Sequence, residues 1–118
     1  VPDFYELVLV ATEEKIATDP DLVQRFVRGV MRGYQDAMAD PQAAVELLKR
    51  LRPEVDLEIE KPGVDLLAPL WSPDNGVFGW QDEARWVDFA RWMQKNGLLS
   101  SEGDARAAFD NSFVSNAR

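Results

Sequence analysis

The feature that most constrains this chain is an almost continuous apolar run, FYELVLVA, at residues 4–11. Branched and aromatic side chains in such a run are typical of a β-strand that is buried on both faces of a sheet. A strand of that kind needs neighbouring strands, and no second segment of the same character follows in the 118 residues. We therefore expect the chain to be a fragment, the carboxy-terminal and mostly helical part of a larger α/β protein.

The chain after this run carries helix signals. Asp19-Pro20 and Asp40-Pro41 each place a capping aspartate directly before a proline at the first helical position, where the missing N–H costs nothing. We predict that helices begin at these two points and that the second helix ends before Pro53.

Weaker patterns follow these two helices. Residues 54–61 alternate acidic with apolar side chains, which predicts a half-exposed strand with a period of two. Residues 63–71 are interpreted as a short helix and residues 72–76 as a turn rich in Pro, Asp, Asn and Gly. Further helices are predicted over residues 81–96 and, more briefly, over residues 104–109.

Two glycines on the first of the long helices, Gly29 and Gly33, lie four residues apart. We expect the pair to let another backbone approach the helix closely. The arginines beside them exclude a membrane-spanning pair.

The composition excludes several functions. The chain has 21 acidic and 13 basic residues and a net charge of -8, which disfavours nucleic acids and anionic membrane surfaces as partners. It has no cysteine and no histidine, so it cannot by itself build a typical zinc site or a Ser-His-Asp triad. We expect no catalytic residue, no metal and no cofactor.

Glu6 is the most unusual residue of the apolar run, because an unpaired carboxylate within a buried strand would be expensive. Three interpretations stay open: Glu6 faces a ligand, forms a structural salt bridge, or is exposed at the strand edge. A ligand-facing carboxylate there would accept hydrogen bonds from an amino group.

The four tryptophans fall within 22 positions, which suggests an aromatic cage for a planar or cationic ligand. Packing is the stronger interpretation for Trp86 and Trp92, which lie in the body of a predicted helix. Trp80 precedes that helix beside Gly79 and is a candidate to face a cleft, whereas Trp71 has no assigned role.

The order of these segments resembles the substrate-binding proteins of ABC importers. Within them it is similar to the thiamine-precursor, hydroxymethylpyrimidine-binding branch, whose relatives include binders of sulfonates and riboflavin and fungal pyrimidine synthases. Pro62-Gly63 departs from this family, in which we expect a continuous helix from about Leu57. The segments that carry the resemblance are residues 1–11, 21–29, 33–37, 40–44, 79–80, 86–93, 96–99 and 108–113.

The resemblance implies a type II periplasmic binding protein fold of two α/β lobes, with residues 1–118 as a single segment that returns to the first lobe. It implies a solute-binding component of an ABC importer that is periplasmic or tethered outside the membrane and docks on a permease. The ligand would be a small heteroaromatic molecule such as a thiamine pyrimidine precursor. Tyr5 and Glu6 are the best ligand-binding candidates by this resemblance, and Trp80 is the third.

Three alternatives accompany this hypothesis. The first is a pyrimidine-precursor synthase of thiamine biosynthesis on the same fold, the second is a binder of a sulfonate or riboflavin, and the third is a structural helical domain without a ligand. We also expect an isolated piece with such an exposed strand to associate with a copy of itself or with another chain, because unpaired strand edges are adhesive.

Overall fold

The computed structural model describes residues 1–71, 76–101 and 103–115, and these residues are mostly helical. None of the helices in this part of the chain has the length and apolarity needed to cross a membrane. The predicted turn at residues 72–76 lies outside the described residues except for Gly76, which has a positive φ of 72°. In chain order the helices are α1 (Glu13–Thr18), α2 (Pro20–Ala39), α3 (Pro41–Leu51), α4 (Leu57–Leu67), a 3₁₀ turn (Ala68–Trp71), α5 (Glu83–Lys95), a second 3₁₀ turn (Ala105–Ala108) and α6 (Ser112–Ser115).

The two predicted Asp-Pro helix starts are confirmed. The Asp19 carboxylate accepts a hydrogen bond from the Leu22 amide at 3.2 Å, and the Asp40 carboxylate accepts one from the Ala43 amide at 3.0 Å. Asp40 also donates its own amide to the Asp36 carbonyl at 3.3 Å. It thus ends α2 and begins α3, so the two helices join at a single residue.

The strand predicted over residues 54–61 is wrong, because residues 57–61 form the first half of α4 and Asp56 is its N-cap. The Asp56 carboxylate caps the helix by accepting the Glu58 amide at 2.9 Å, and acidic residues in the first turn favour the positive end of the helix dipole. Pro62 lies inside the helix and removes one backbone donor. The short helix predicted at 63–71 is the rest of α4 and the 3₁₀ turn.

Contacts with α3 hold α4 on both sides of its proline. The Gln42 side-chain amide donates to the Asp65 carboxylate at 2.8 Å and to the Lys61 carbonyl at 3.3 Å. The Lys61 ammonium contacts the Glu46 carboxylate at 2.8 Å, and this hydrogen bond lowers the pKa of Glu46. These contacts between helices therefore favour a helix where the alternation alone predicts a strand, and they hold that helix although it contains a proline.

The described residues of this chain do not form the buried strand predicted over residues 4–11. Residues 1–12 are not helical and bend at Glu6 and Leu7, and the structure contains no strand among the residues it describes. Leu7 and Val10 are 87% and 88% exposed. No backbone hydrogen bond joins residues 7–11 to another described segment. Within the described residues the run therefore lacks the neighbouring strand that a β-ladder requires.

The core is small. The side-chain amide of Gln24 on α2 donates to the Phe113 carbonyl at 2.7 Å and so fixes the turn that contains α6. Large apolar side chains on outer faces are more than half exposed, among them Phe26, Leu51, Ile59, Leu66 and Leu70. Among the described residues the buried apolar side chains, one in each helix from α2 to α6, are Met31, Val45, Val64, Ala90 and Val114.

Helix α5 ends where the sequence predicts. The amide of Leu98 donates to the Met93 carbonyl at 2.9 Å, and Gly97 adopts a φ of 72° in the left-handed region. The start of α5 lies at the candidate functional site.

Candidate functional site

Tyr5 is held at the amino-terminal end of α5. Its hydroxyl accepts a hydrogen bond from the backbone amide of Asp82 at 2.6 Å. The ring lies 6.0 Å from the Trp86 ring, and the Arg85 guanidinium lies 4.7 Å from the centre of the Tyr5 ring. These contacts fix the orientation of Tyr5, so in this chain its side chain supports the backbone around it.

The two residues before Tyr5 complete this attachment. Asp3 forms an ion pair with Arg85 at 2.8 Å, and the Phe4 ring stacks on the Phe89 ring with centroids 4.6 Å apart and planes 9° apart. Residues 3–5 thus contact three successive turns of one helix face through charge, hydrogen bonding and stacking. We call residues 3–5 the attached segment.

Glu6 follows the attached segment at the bend and is exposed to solvent. Within the described part of the chain no hydrogen bond or ion pair involves its carboxylate, so the structure provides no support for the salt-bridge interpretation. An exposed carboxylate next to a fixed ring is available to a ligand or partner. Its predicted contact with a ligand stays a prediction.

Trp80 lies two residues before the amide that bonds Tyr5. It follows Gly79, whose φ of 81° places the chain in the left-handed region, and its side chain is 38% exposed. The Trp80 amide donates to the Val77 carbonyl at 3.2 Å. The structure therefore brings the backbone that carries Trp80 to the same end of α5 as Tyr5 and Glu6.

Asn111 fixes this connection from the other side, and the sequence analysis missed it. Its side-chain amide donates to the Gln81 carbonyl at 2.9 Å, while its side-chain oxygen accepts the Gln81 amide at 2.9 Å. The Gln81 side chain in turn accepts a hydrogen bond from the Trp86 indole at 2.8 Å. A side-chain amide that pairs with a backbone 30 residues away leaves no periodic signal in the sequence.

Trp86 and Trp92 pack against other rings, as expected. Trp86 stacks on Phe109 with centroids 6.0 Å apart, and Trp92 stacks on Phe89 at the same distance. Trp71, which had no assigned role, meets Tyr34 edge-on at 5.5 Å. The tryptophans therefore do not form a single cage in this chain.

The space enclosed by the attached segment and α5 is too small for a ring-sized ligand. It has a volume of about 40 Å³ and is lined by Phe4, Tyr5, Arg85, Trp86 and Phe89. A volume of this size holds roughly one water molecule, whereas small-molecule sites usually measure roughly 300 Å³ or more. A ligand at this end of α5 would therefore lie outside this space.

A second concavity lies on α2 and is open to solvent. It has a volume of about 290 Å³ and is lined by Val30, Gly33, Tyr34 and Ala37. The Tyr34 ring stacks on the Phe78 ring with centroids 4.6 Å apart. The lining offers few polar groups that would orient a heteroaromatic solute. Among the described residues no group of acidic side chains is arranged to hold a metal ion.

Comparison with known proteins agrees with the resemblance found in the sequence. Residues 1–44 match the family described as NMT1/THI5 like. The chain is 32% identical over 112 residues to the riboflavin-binding protein RibY of Chloroflexus aurantiacus. This alignment covers 90% of this chain and 32% of RibY. The chain is also 26% identical over 113 residues to a formylaminopyrimidine-binding protein of Halalkalibacterium halodurans. This alignment covers 92% of this chain and 34% of that protein.

Both relatives are named as binding proteins, not as enzymes. No solved structure matches the chain. The chain spans about a third of the length of the two relatives it matches. The resemblance is thereby confirmed: residues 1–44 are similar to the NMT1/THI5 like family, and most of the chain is similar to proteins that are named as binding proteins.

Proposed function

We propose that this chain is part of the solute-binding component of an ABC importer and that it contributes to the capture of a small heteroaromatic ligand. The observation that carries the proposal is the exposed Glu6 carboxylate beside the fixed Tyr5 ring. The two named relatives support the ligand class, since riboflavin and formylaminopyrimidine both contain nitrogen heteroaromatic rings.

Glu6 would supply the polar recognition. An ionised carboxylate accepts several hydrogen bonds and binds an amino group or a ring N–H more strongly than a neutral acceptor does. Because Tyr5 is bonded to the Asp82 amide, the backbone that carries Glu6 is already placed before a ligand arrives. Preorganisation of this kind reduces the entropy cost of binding.

Trp80 would supply the apolar recognition. Its side chain is 38% exposed and its backbone is held by Val77, so a flat ligand ring has an indole surface on which to stack. We further propose that Tyr5 contacts the ligand through the remaining edge of its ring. No catalytic role is proposed for any of these residues.

The rest of the pocket would come from the other two thirds of a protein as long as its relatives. We propose that the longer protein has a type II fold of two α/β lobes, with residues 1–118 returning to the first lobe and residues 4–11 completing a strand there. Supporting this, the exposed backbone of residues 7–11 has the apolar side chains that a sheet would bury. The protein would be periplasmic or tethered outside the membrane and would deliver its ligand to an ABC permease.

Two heteroaromatic ligands carry a donor for the Glu6 carboxylate, an aminopyrimidine through its amino group and riboflavin through the N–H of its flavin ring. A thiamine pyrimidine precursor is supported by the relative named for formylaminopyrimidine, and riboflavin is supported by the relative with the higher identity. The 118-residue chain alone is proposed to self-associate, because large apolar side chains on its surface are exposed.

The proposal is tested by titrating the longer protein with an aminopyrimidine, riboflavin and a sulfonate while following tryptophan fluorescence and thermal shift. We expect a saturable response and an increase in melting temperature with the aminopyrimidine or with riboflavin, and none with the sulfonate. The 118-residue chain is the control and should give no saturable response, because its enclosed space near Tyr5 measures only about 40 Å³. A response to the sulfonate alone, or to none of the three, would contradict the proposal.

A further inference from the structure

Helix α2 carries an exposed apolar face that no described segment of the chain covers. Side chains three or four residues apart fall on one side of a helix, and here that side is opposite the buried Met31. Leu22 is 42% exposed and Phe26 is 60% exposed. The residues of this α2 face are Leu22, Phe26, Gly29, Gly33 and Ala37.

The α2 face contains both a projection and a depression. Phe26 projects from it, and the open groove of about 290 Å³ lined by Val30, Gly33, Tyr34 and Ala37 lies further along. At a rise of about 1.5 Å per residue, the centre of the groove lies roughly 11 Å from Phe26 along the helix axis. A Cβ atom added at Gly29 or Gly33 would meet nothing within 4 Å, so the approach to the face is open.

We propose that α2 pairs antiparallel with α2 of a second copy of this chain, about a two-fold axis near Val30, so that each Phe26 enters the groove of the other copy. A two-fold interface uses the same surface on both copies, and it therefore needs a projection and a depression on one surface. Gly29 and Gly33 lie close to the axis, where small residues let two helix backbones approach. The inference names the surface for the self-association proposed above and does not depend on the identity of the solute.

Charges beside the face agree with this register. The axis that places Phe26 opposite Tyr34 of the other copy also places Arg25 one residue from Asp36 of the other copy. Two ion pairs would thus form at the rim of the interface. Arg28 and Arg32 of the two copies also come opposite each other, but they lie further round the helix and are exposed. Since each copy has a net charge of -8, we expect weak association.

The apolar residues 7–10 are a less favourable self-association surface. Antiparallel pairing of residues 7–11 about their centre would bring Glu6 of one copy next to Thr12 and Glu13 of the other, and like charges close together oppose pairing. A two-stranded ladder of this length is also marginal in water. On the α2 face the like charges, Arg28 and Arg32, lie further round the helix, and the helix is already formed in the single chain.

The surface is tested by sedimentation velocity on the 118-residue chain over a wide concentration range at physiological salt. We expect a monomer–dimer equilibrium whose dissociation constant rises at least about tenfold in Phe26→Glu and in Gly33→Leu. Leucine is a better helix former than glycine and has open space at position 33, so Gly33→Leu should keep the monomer folded. Circular dichroism of each variant checks this.

Charge reversal tests the register. Arg25→Asp and Asp36→Arg should each weaken the dimer, and the two changes together should restore it because the pair is re-formed with opposite signs. Val10→Lys is the matched control on the other apolar surface and should leave the dimer unchanged. A monomer at every concentration, or a dimer that Val10→Lys removes and Phe26→Glu does not, would overturn the proposal. If the double variant dimerises no more tightly than the two single variants, the proposed register of the two helices is wrong.

Discussion

The two halves of the apolar run at residues 4–11 behave differently. Phe4 and Tyr5 are held on α5 by a ring stack at 4.6 Å and a hydrogen bond at 2.6 Å, whereas Leu7 and Val10 are 87% and 88% exposed. The first half is placed by side-chain contacts that this chain supplies. The second half has the composition of a strand, but a strand also requires a backbone partner. Composition therefore indicates what a segment can become, and the partner decides whether it does.

The largest expected effect is a difference in the free energy of unfolding between substitutions in the first and in the second half of residues 4–11. Phe4→Ala removes the stack on Phe89 and should lower the free energy of unfolding by about 1–2 kcal/mol, less than for a fully buried phenylalanine because Phe4 is 40% exposed. Leu7→Ala is the matched control and should change it by less than about 0.5 kcal/mol. Urea unfolding followed by tryptophan fluorescence measures both. Equal losses in the two variants would mean that both halves are packed.

A smaller effect concerns the single hydrogen bond of Tyr5. Tyr5→Phe leaves the Asp82 amide without this acceptor and should cost about 0.5–1 kcal/mol, at the low end because water can replace the hydroxyl. Tyr34→Phe is the control, since the Tyr34 hydroxyl forms no hydrogen bond within the described part of the chain. The same urea experiment applies. A larger loss of unfolding free energy in Tyr34→Phe than in Tyr5→Phe would contradict the claim that the Tyr5 hydrogen bond stabilises the attached segment.

Local signals were sufficient to predict the helix starts. The carboxylates of Asp19 and Asp40 cap amides only three residues away, so the sequence already contains both partners of each hydrogen bond. The strand expected at residues 54–61 failed because a short acidic and apolar alternation also suits a capped helix. Contacts from Gln42 and Glu46 on α3 then decide in favour of the helix. Those contacts cannot be inferred from the alternation itself.

The candidate site shows the same division between local signals and long-range contacts. Tyr5 and Glu6 are singled out by their place in an apolar run and by the family resemblance. The amide that bonds Tyr5 lies 77 residues further along the chain, and the Asn111 side chain that fixes Gln81 lies 30 residues from it. Pairings of this kind depend on the folded path of the chain. The sequence therefore indicated the residues at this end of α5 but not the support beneath them.

The most direct test of the proposed function is Glu6→Gln in the longer protein, with Glu13→Gln in the first turn of α1 as the matched control. Glutamine keeps the shape of the side chain but replaces one acceptor oxygen with a donor and removes the charge. We predict that Glu6→Gln weakens binding of the heteroaromatic ligand at least about tenfold, or roughly 1.4 kcal/mol, with a nearly unchanged melting temperature. The control should bind normally. Unchanged affinity in Glu6→Gln together with a clear loss of stability would contradict the account and make Glu6 a structural carboxylate.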